Sequence, residues 1–431
     1  MNIKRFFVRS SLVSVLGVVL TLSLATCAYC PEIDDIKFCQ IIQDAPLTDL
    51  TSSSGPDVVF EEPGTIVVYH GSGCAVSDKS GTEEVLKVEQ SLDLPVYVGD
   101  ATVILNGWRV RYLSKDHHVG GLGTQIRNIR KQEQTLKWEA AGVLSDKNFD
   151  DGYTWCYYYT VLGWNPAALS LLVDHEDVNC GADVDPSQTN FFGAFNEQTT
   201  TALASFPSFL QISNFRSGMA PAILPRGFGF GWECGDDHHM LQIGYNLVHS
   251  ESFIEHDKLY KKAFTEVKAS LPNLASQVDS GFVSWETSAI FKDDKARRNY
   301  FLVETVSGLA GNDVGVIQPP FSILPVEDGS GCTPIGDSPS TQDFLIENVP
   351  FAFAIPMLTG WTLSYGCGDE HITEAGIWID NWNYDQNTRT LRYTLSSAWR
   401  DKNGDPPHAR THKVTILGLR AVSGTPPGGP Q

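Results

Sequence analysis

The sequence predicts a mainly β protein made of three tandem antiparallel β-sandwich repeats, with one helix inserted in the second repeat. Aromatic residues make up 11% of the chain, and it holds 38 Gly and 23 Pro residues, whereas long helical patterns are scarce. This composition is typical of β-rich proteins. The deciding observation is a segment that recurs three times with an opening glycine, an alternating strand and an acidic-histidine cluster.

The N-terminus has the pattern of a secretory signal peptide, which we assign to residues 1–27. Basic residues precede an apolar run from Leu12 to Leu24, and small residues follow it. The run Leu24-Ala25-Thr26-Cys27 is similar to a bacterial lipobox, which makes Cys27 the candidate for lipidation; cleavage near Ala28 is the alternative. No segment has about 18 consecutive apolar residues, so the sequence predicts no membrane-spanning helix but leaves a lipid anchor open.

The rest of the chain divides into repeats and connecting segments. An N-terminal segment covers 28–95, the repeats cover 96–165, 220–310 and 350–422, linkers cover 166–219 and 311–349, and a tail predicted to be disordered covers 423–431. The recurring segments are GWRVRYLSKDHHVGGLG, GFGFGWECGDDHHMLQIG and GWTLSYGCGDEHITEAG, which begin at Gly107, Gly227 and Gly360. Alternation such as Trp108-x-Val110-x-Tyr112 predicts half-buried strands.

The second repeat carries an insertion with a helical pattern. Ser252 and Glu255 have the spacing of a capping box, and apolar residues recur at helical spacing until Pro272. This pattern predicts an amphipathic helix over 252–272.

The acidic-histidine clusters are the first candidate site. Each has an aspartate two residues before a histidine, and alternate residues of a strand share one face. Such a pair can bind a ligand or a metal, although two groups do not make a tight metal site. Recurrence in every repeat favours a turn that defines the repeat over catalysis, so we assign no catalytic residue and keep ligand contact as the alternative. The candidate residues are Asp116, His118, Asp237, His239, Asp369 and His371.

Calcium is the only cofactor that the sequence suggests. Oxygen-bearing side chains stand at alternate positions in two Asp-Lys-Asn turns and resemble the first half of a calcium loop. The distal glutamate of such a loop is missing, because Tyr157 and His412 occupy that position. A tight hairpin connection is the alternative. The candidate ligands are Asp146, Asn148, Asp150, Asp401, Asn403 and Asp405.

Aromatic residues are the second candidate for ligand binding. Trp155 lies in a run of aromatics, and Trp382 lies in a similar cluster of the third repeat. Aromatic faces stack on sugars while nearby polar groups bind hydroxyls. A place in the sandwich core is the alternative for both residues.

The cysteine count indicates the redox compartment, and the net charge limits the classes of partner. Nine cysteines are present, and those other than Cys27 can pair as disulfides in an oxidising compartment, with Cys30–Cys39 as the simplest local pair. The formal net charge is −20, which argues against nucleic acid and anionic membranes as partners.

The order of features in the repeats resembles that of H-type lectins, over residues 103–165 and 356–421. The resemblance implies a small antiparallel β-sandwich that binds sugars and assembles as a trimer. Three tandem copies would then form a pseudo-trimer within one chain. No sugar-binding residue is carried over from the family.

These observations together predict a secreted or surface-anchored, non-catalytic binding protein of bacterial origin, located outside the cell, at its surface or in the periplasm. Glycans, or another surface protein, are the expected partners. A structural surface protein stiffened by calcium or disulfides is the alternative, and a hydrolase is a third hypothesis.

Overall fold

The structure is a computed structural model, and all of its described residues lie within Glu32–Gln431. The described residues are 47–48, 50–77, 85–113, 118–145, 151–175, 193–196, 203–212, 214–215, 218–232, 239–255, 281–293, 300–318, 322–323, 340–365, 371–401 and 408–421. Over these ranges the chain forms β-strands and no helix. The predicted mainly β fold is therefore confirmed.

The strands follow one another as three similar series. The first series is β1 (Ser52–Glu62), β2 (Ile66–Ser77), β3 (Leu86–Asp93), β4 (Asp100–Tyr112), β5 (Gly121–Gln132), β6 (Thr135–Ser145) and β7 (Tyr153–Trp164). The second is β8 (Leu171–His175), β9 (Gly193–Asn196), β10 (Leu203–Ile212), β11 (Ala220–Trp232), β12 (Met240–Glu255), β13 (Gly281–Asp293) and β14 (Tyr300–Gly311). The third is β15 (Val314–Ile317), β16 (Ser322–Ile323), β17 (Ser340–Ile346), β18 (Phe351–Tyr365), β19 (Ile372–Asp385), β20 (Thr390–Asp401) and β21 (His408–Ala421).

These strands form three antiparallel sheets. The strand orders are β1-β2-β7-β4-β19-β20-β17, then β10-β13-β12-β18-β21-β15 with β16 beside β21, and β3-β6-β5-β11-β14-β8 with β9 beside β14. The segments assigned as linkers thus supply strands to the sheets, among them β10 and β17.

Every repeat is divided between two sheets. In the first repeat, β4 and β7 belong to one sheet while β5 and β6 belong to another. Strand β4 then pairs with β19 of the third repeat, β5 pairs with β11 of the second, and β12 of the second pairs with β18 of the third. Each repeat is therefore joined to both of the others, and the three close into a ring.

The glycines that mark the repeats lie where strands of different repeats meet. Gly107 pairs with Trp378, Gly227 with Gln125, and Gly360 with Asn246, in three equivalent registers. A Cβ atom on Gly227 would lie 2.5 Å from the Cβ atom of Gln125, which is closer than real side chains approach. Only glycine permits this approach between the backbones.

A β-bulge lies at an equivalent position in every repeat, directly before the glycine that pairs with another repeat. The register shifts between Leu105 and Gly107 in β4, and at the equivalent positions of β11 and β18. The bulged residue Asn106 is fully buried, and its side-chain amide donates to the carbonyl of Pro356 at 3.2 Å. The bulge therefore turns a polar side chain of the first repeat onto a strand of the third.

An aromatic cluster lies at the centre of the ring. It consists of Trp108, Phe228 and Trp361, one from each repeat, and we call it the axial aromatic cluster. The ring centroids lie between 5.1 and 5.5 Å apart for all three pairs. Because all three side chains are 6% exposed or less, the cluster forms the common core of the repeats.

The predicted helix over 252–272 is not borne out. Residues 252–255 form the end of strand β12, where Phe253 pairs with Val283 of β13. The pairing between these long strands outweighs the local capping signal, since tertiary contacts commonly override propensity. Residues 256–272 lie outside the described residues. The described part of the chain offers no helix able to cross a bilayer.

Candidate functional site

Three histidines, one from each repeat, meet at a single place. His118, His239 and His371 each precede an equivalent strand: His118 comes shortly before β5, and the other two come directly before β12 and β19. These strands hold corresponding places in the ring, so the points at which they begin converge. We call the three residues the axial histidine cluster.

The imidazole rings of this cluster are in mutual contact. The ring centroids of His118 and His239 lie 4.3 Å apart, those of His239 and His371 lie 4.2 Å apart, and those of His118 and His371 lie 5.4 Å apart. Each histidine offers a ring nitrogen within 4.8 Å of the nitrogens of the other two, and all three residues are half-buried. Three imidazole nitrogens grouped in this way are a donor set that transition metals accept.

The first repeat holds its member of the cluster through the adjacent strand. The Tyr112 hydroxyl, at the end of β4, donates to the backbone carbonyl of His118 at 3.2 Å. Tyr112 is 3% exposed, so the anchoring group itself belongs to the core. The backbone at His118 is therefore fixed against the strand that carries Trp108.

A small cavity lies among the described residues at the centre of the ring. This cavity of about 20 Å³ lies beside the axial aromatic cluster and is also lined by Leu105, Pro225 and Leu358. This volume is enough for about one water molecule.

Of the predicted ligand-binding residues, the structure brings together only the three histidines. Asp116, Asp237 and Asp369 lie outside the described residues, as does the lipidation candidate Cys27. The calcium candidates Asp146, Asn148, Asp150, Asn403 and Asp405 lie outside them as well. Asp401 is the last residue of β20, where its backbone pairs with Ile372, and its side chain is not described.

The two tryptophans chosen for sugar stacking are core residues. Trp155 is 0% exposed and Trp382 is 4% exposed. The Trp155 indole N–H donates to the Thr124 hydroxyl at 3.2 Å on the facing sheet. A sugar cannot reach either ring face, so we correct the assignment of both residues: they hold the sandwich together.

A buried carboxylate that the sequence did not suggest lies inside the second repeat. Glu304 of β14 is 4% exposed and accepts hydrogen bonds from the Trp285 indole N–H at 3.0 Å and the Thr287 hydroxyl at 2.8 Å. The Tyr245 hydroxyl donates a third hydrogen bond. Burial raises the pKa of Glu304, while these hydrogen bonds act in the opposite direction. No motif surrounds Glu304, so sequence reasoning had no signal with which to find it.

The position of Glu304 has an equivalent in each of the other repeats. Glu304 pairs with Phe228 of the axial aromatic cluster, Tyr157 pairs with Trp108, and His412 pairs with Trp361. Burial raises the pKa of Tyr157 well above its usual value and lowers that of His412 to about 4. His412 is therefore neutral at physiological pH, and the three equivalent positions carry three different polar groups.

Neither a family model, nor a curated protein, nor a solved structure matches the chain.

Proposed function

We propose that the chain is a non-catalytic binding protein, secreted or anchored at a surface, whose three repeats act as one pseudo-trimer toward glycans. The observation that carries the proposal is that each repeat contributes strands to two of the three sheets, so that the three repeats close into a ring. It holds three equivalent surfaces in one fixed arrangement. Several weak sites held in fixed geometry raise the overall affinity for a multivalent ligand such as a glycan coat.

The ligand contacts of this proposal lie at the loops before β5, β12 and β19. The histidines that end these three segments, His118, His239 and His371, are described and meet in the axial histidine cluster. Each loop also carries an aspartate of the acidic-histidine motif, namely Asp116, Asp237 or Asp369. Carboxylates and imidazoles bind sugar hydroxyls, and the net charge of −20 suits an uncharged ligand or a calcium-bridged one.

A glycan array tests the proposal. The full chain, labelled at its amines, is applied to a broad array with calcium and, separately, with chelator. We expect reproducible binding to one class of glycan and a loss of that binding in a variant with Asp116→Ala, Asp237→Ala and Asp369→Ala together. Asp313→Ala changes an exposed aspartate in a turn and is the matched control. A blank array under both conditions would count against glycan binding.

The calcium hypothesis has its own readout in the same experiment. If calcium bridges the ligand through the Asp-Lys-Asn turns, chelator abolishes array binding, and Asp146→Asn with Asp401→Asn reproduces the loss. Binding that is equal with calcium and with chelator would remove calcium from the proposal.

A structural surface protein is the second candidate. The observation that favours it is the disulfide between Cys74 and Cys156, which links the directly paired strands β2 and β7. Together with the shared sheets, this bond suits a rigid body exposed to an oxidising environment. This candidate predicts a blank glycan array and a chain that resists proteases until its disulfide is reduced. Both results together would favour it over glycan binding.

A further inference from the structure

We propose that the axial histidine cluster binds one divalent transition-metal ion of the zinc class, with one imidazole nitrogen from each repeat. A water molecule from the solvent side completes the coordination. This inference does not rest on glycan binding, because it concerns the histidines alone.

The first argument is distance. The three ring nitrogens lie within 4.8 Å of one another. Zinc binds imidazole nitrogen at about 2.0–2.1 Å, so nitrogens in a tetrahedral site stand roughly 3.3 Å apart. Rotations about side-chain torsions cover the difference, since the histidines already approach to ring contact.

The second argument is the origin of the three ligands. His118, His239 and His371 come from three repeats, and each precedes a strand of a different sheet of the ring. The donor set is therefore assembled by the fold itself rather than by one flexible loop. Ligands that the fold has already brought into contact, and that need only side-chain rotation, bind an ion at a lower entropic cost than ligands on a single unordered segment.

The third argument is the chemistry of the donors. Imidazole suits zinc, copper and nickel, whereas calcium and magnesium take oxygen ligands. This site is thus distinct from the calcium loops predicted at the Asp-Lys-Asn turns. The histidines are half-buried rather than sealed in the core, so a water molecule can supply the fourth ligand in this proposal. Three protein nitrogens and one water make a complete tetrahedral set.

A bound ion would tie the repeats together at one end of the ring. The repeats, which already meet through paired strands and the axial aromatic cluster, would gain one more connection that contacts all three. An ion that binds the folded state alone raises the melting temperature with increasing ion concentration.

The decisive experiment is a metal titration of the full chain, prepared without an added histidine tag and stripped with chelator. Calorimetry with Zn²⁺ should give a stoichiometry near one ion per chain at the tight site. Absorption with Co²⁺ should show the visible bands of a four-coordinate ion. His118→Ala, His239→Ala and His371→Ala should each weaken binding at least 100-fold. His175→Ala, at a half-buried histidine away from the cluster, is the matched control and should bind as the wild type does.

A second measurement covers variants that fail to fold. In the wild-type protein loaded with Co²⁺, proton magnetic resonance should show three strongly shifted imidazole N–H signals. Fewer than three such signals, no Zn²⁺ binding, or equal binding by the triple alanine variant would overturn the proposal. The last two outcomes would mean that the rings merely stack. A blank glycan array leaves these readouts unaffected, so the two proposals fail separately.

Discussion

The backbone of Gly107 lies so close to Trp378 that a Cβ atom on Gly107 would stand 2.3 Å from the Cα atom of Trp378. The two residues pair across β4 and β19 and so join the first repeat to the third. Gly107 also has a φ of +148°, a backbone conformation that residues with a side chain rarely adopt.

Substitution of this glycine tests the contact between repeats. Gly107→Ala should lower the free energy of unfolding by about 3 kcal/mol, because the new methyl group meets backbone and the φ value becomes strained. Urea denaturation measures the change. Gly55→Ala, at a glycine with open space around it, is the control and should change stability by less than about 0.5 kcal/mol. Equal effects of the two substitutions would contradict the close approach.

The axial aromatic cluster should carry a large share of the stability of the ring. Trp108→Ala removes a side chain that is 1% exposed and contacts rings of both other repeats. We expect a loss of about 3–5 kcal/mol in the free energy of unfolding, measured by urea denaturation. Val96→Ala, at a residue that is 85% exposed, should have little effect. A loss under about 1 kcal/mol for Trp108→Ala would mean that the repeats do not depend on this cluster.

The buried Glu304 should make stability depend on pH in one direction. Its pKa in the folded protein is raised by burial, so at a pH between the ordinary and the raised value the folded state holds a proton that the unfolded state has lost. Stability is therefore lost as the pH rises from the ordinary carboxyl pKa through the raised one. Glu304→Gln lacks this titration, so the wild type should lose stability relative to the variant as the pH rises above the ordinary carboxyl pKa. A difference in unfolding free energy that stays constant as the pH rises would show that the raised pKa is wrong.

The disulfide between Cys74 and Cys156 should stabilise the fold through the loop that it closes. The two cysteines are 82 residues apart in sequence. The double variant Cys74→Ser and Cys156→Ser should unfold with about 2–4 kcal/mol less free energy, since its unfolded chain is less constrained. Reductant should destabilise the wild type more than the double variant. If the wild type and the variant lose the same unfolding free energy on addition of reductant, the disulfide does not contribute to stability.

Local sequence patterns predicted the strands and their repetition, but not which strands pair. The sequence shows that the glycines at 107, 227 and 360 open the three repeats. The need for glycine at these positions follows from the pairing of β4, β11 and β18 with strands of other repeats. Such pairing joins residues that are distant in sequence, and a period of two residues contains no information about the partner strand. The same limit applies to the histidines, whose equivalence was visible and whose convergence was not.

Burial was also predicted only in part. Alternation placed the aromatic residues of β7 on both faces of a strand and left open which face was exposed. Trp155 lies on the face that packs against the other sheet, where its indole N–H donates to Thr124 of β5. The helix at 252–272 failed for a related reason: the capping signal is local, whereas strand β12 extends to Glu255 through its pairing with β13.

A trimer of identical subunits must place the same side chain at each of three equivalent positions. One continuous chain is free of that constraint, and the residues opposite the axial aromatic cluster show the result: Tyr157, Glu304 and His412 stand at corresponding places. A phenol, an acid and an imidazole respond to different ranges of pH. Each third of the molecule can therefore change its interior chemistry by single mutations, while the shared architecture that holds the other two thirds stays as it was.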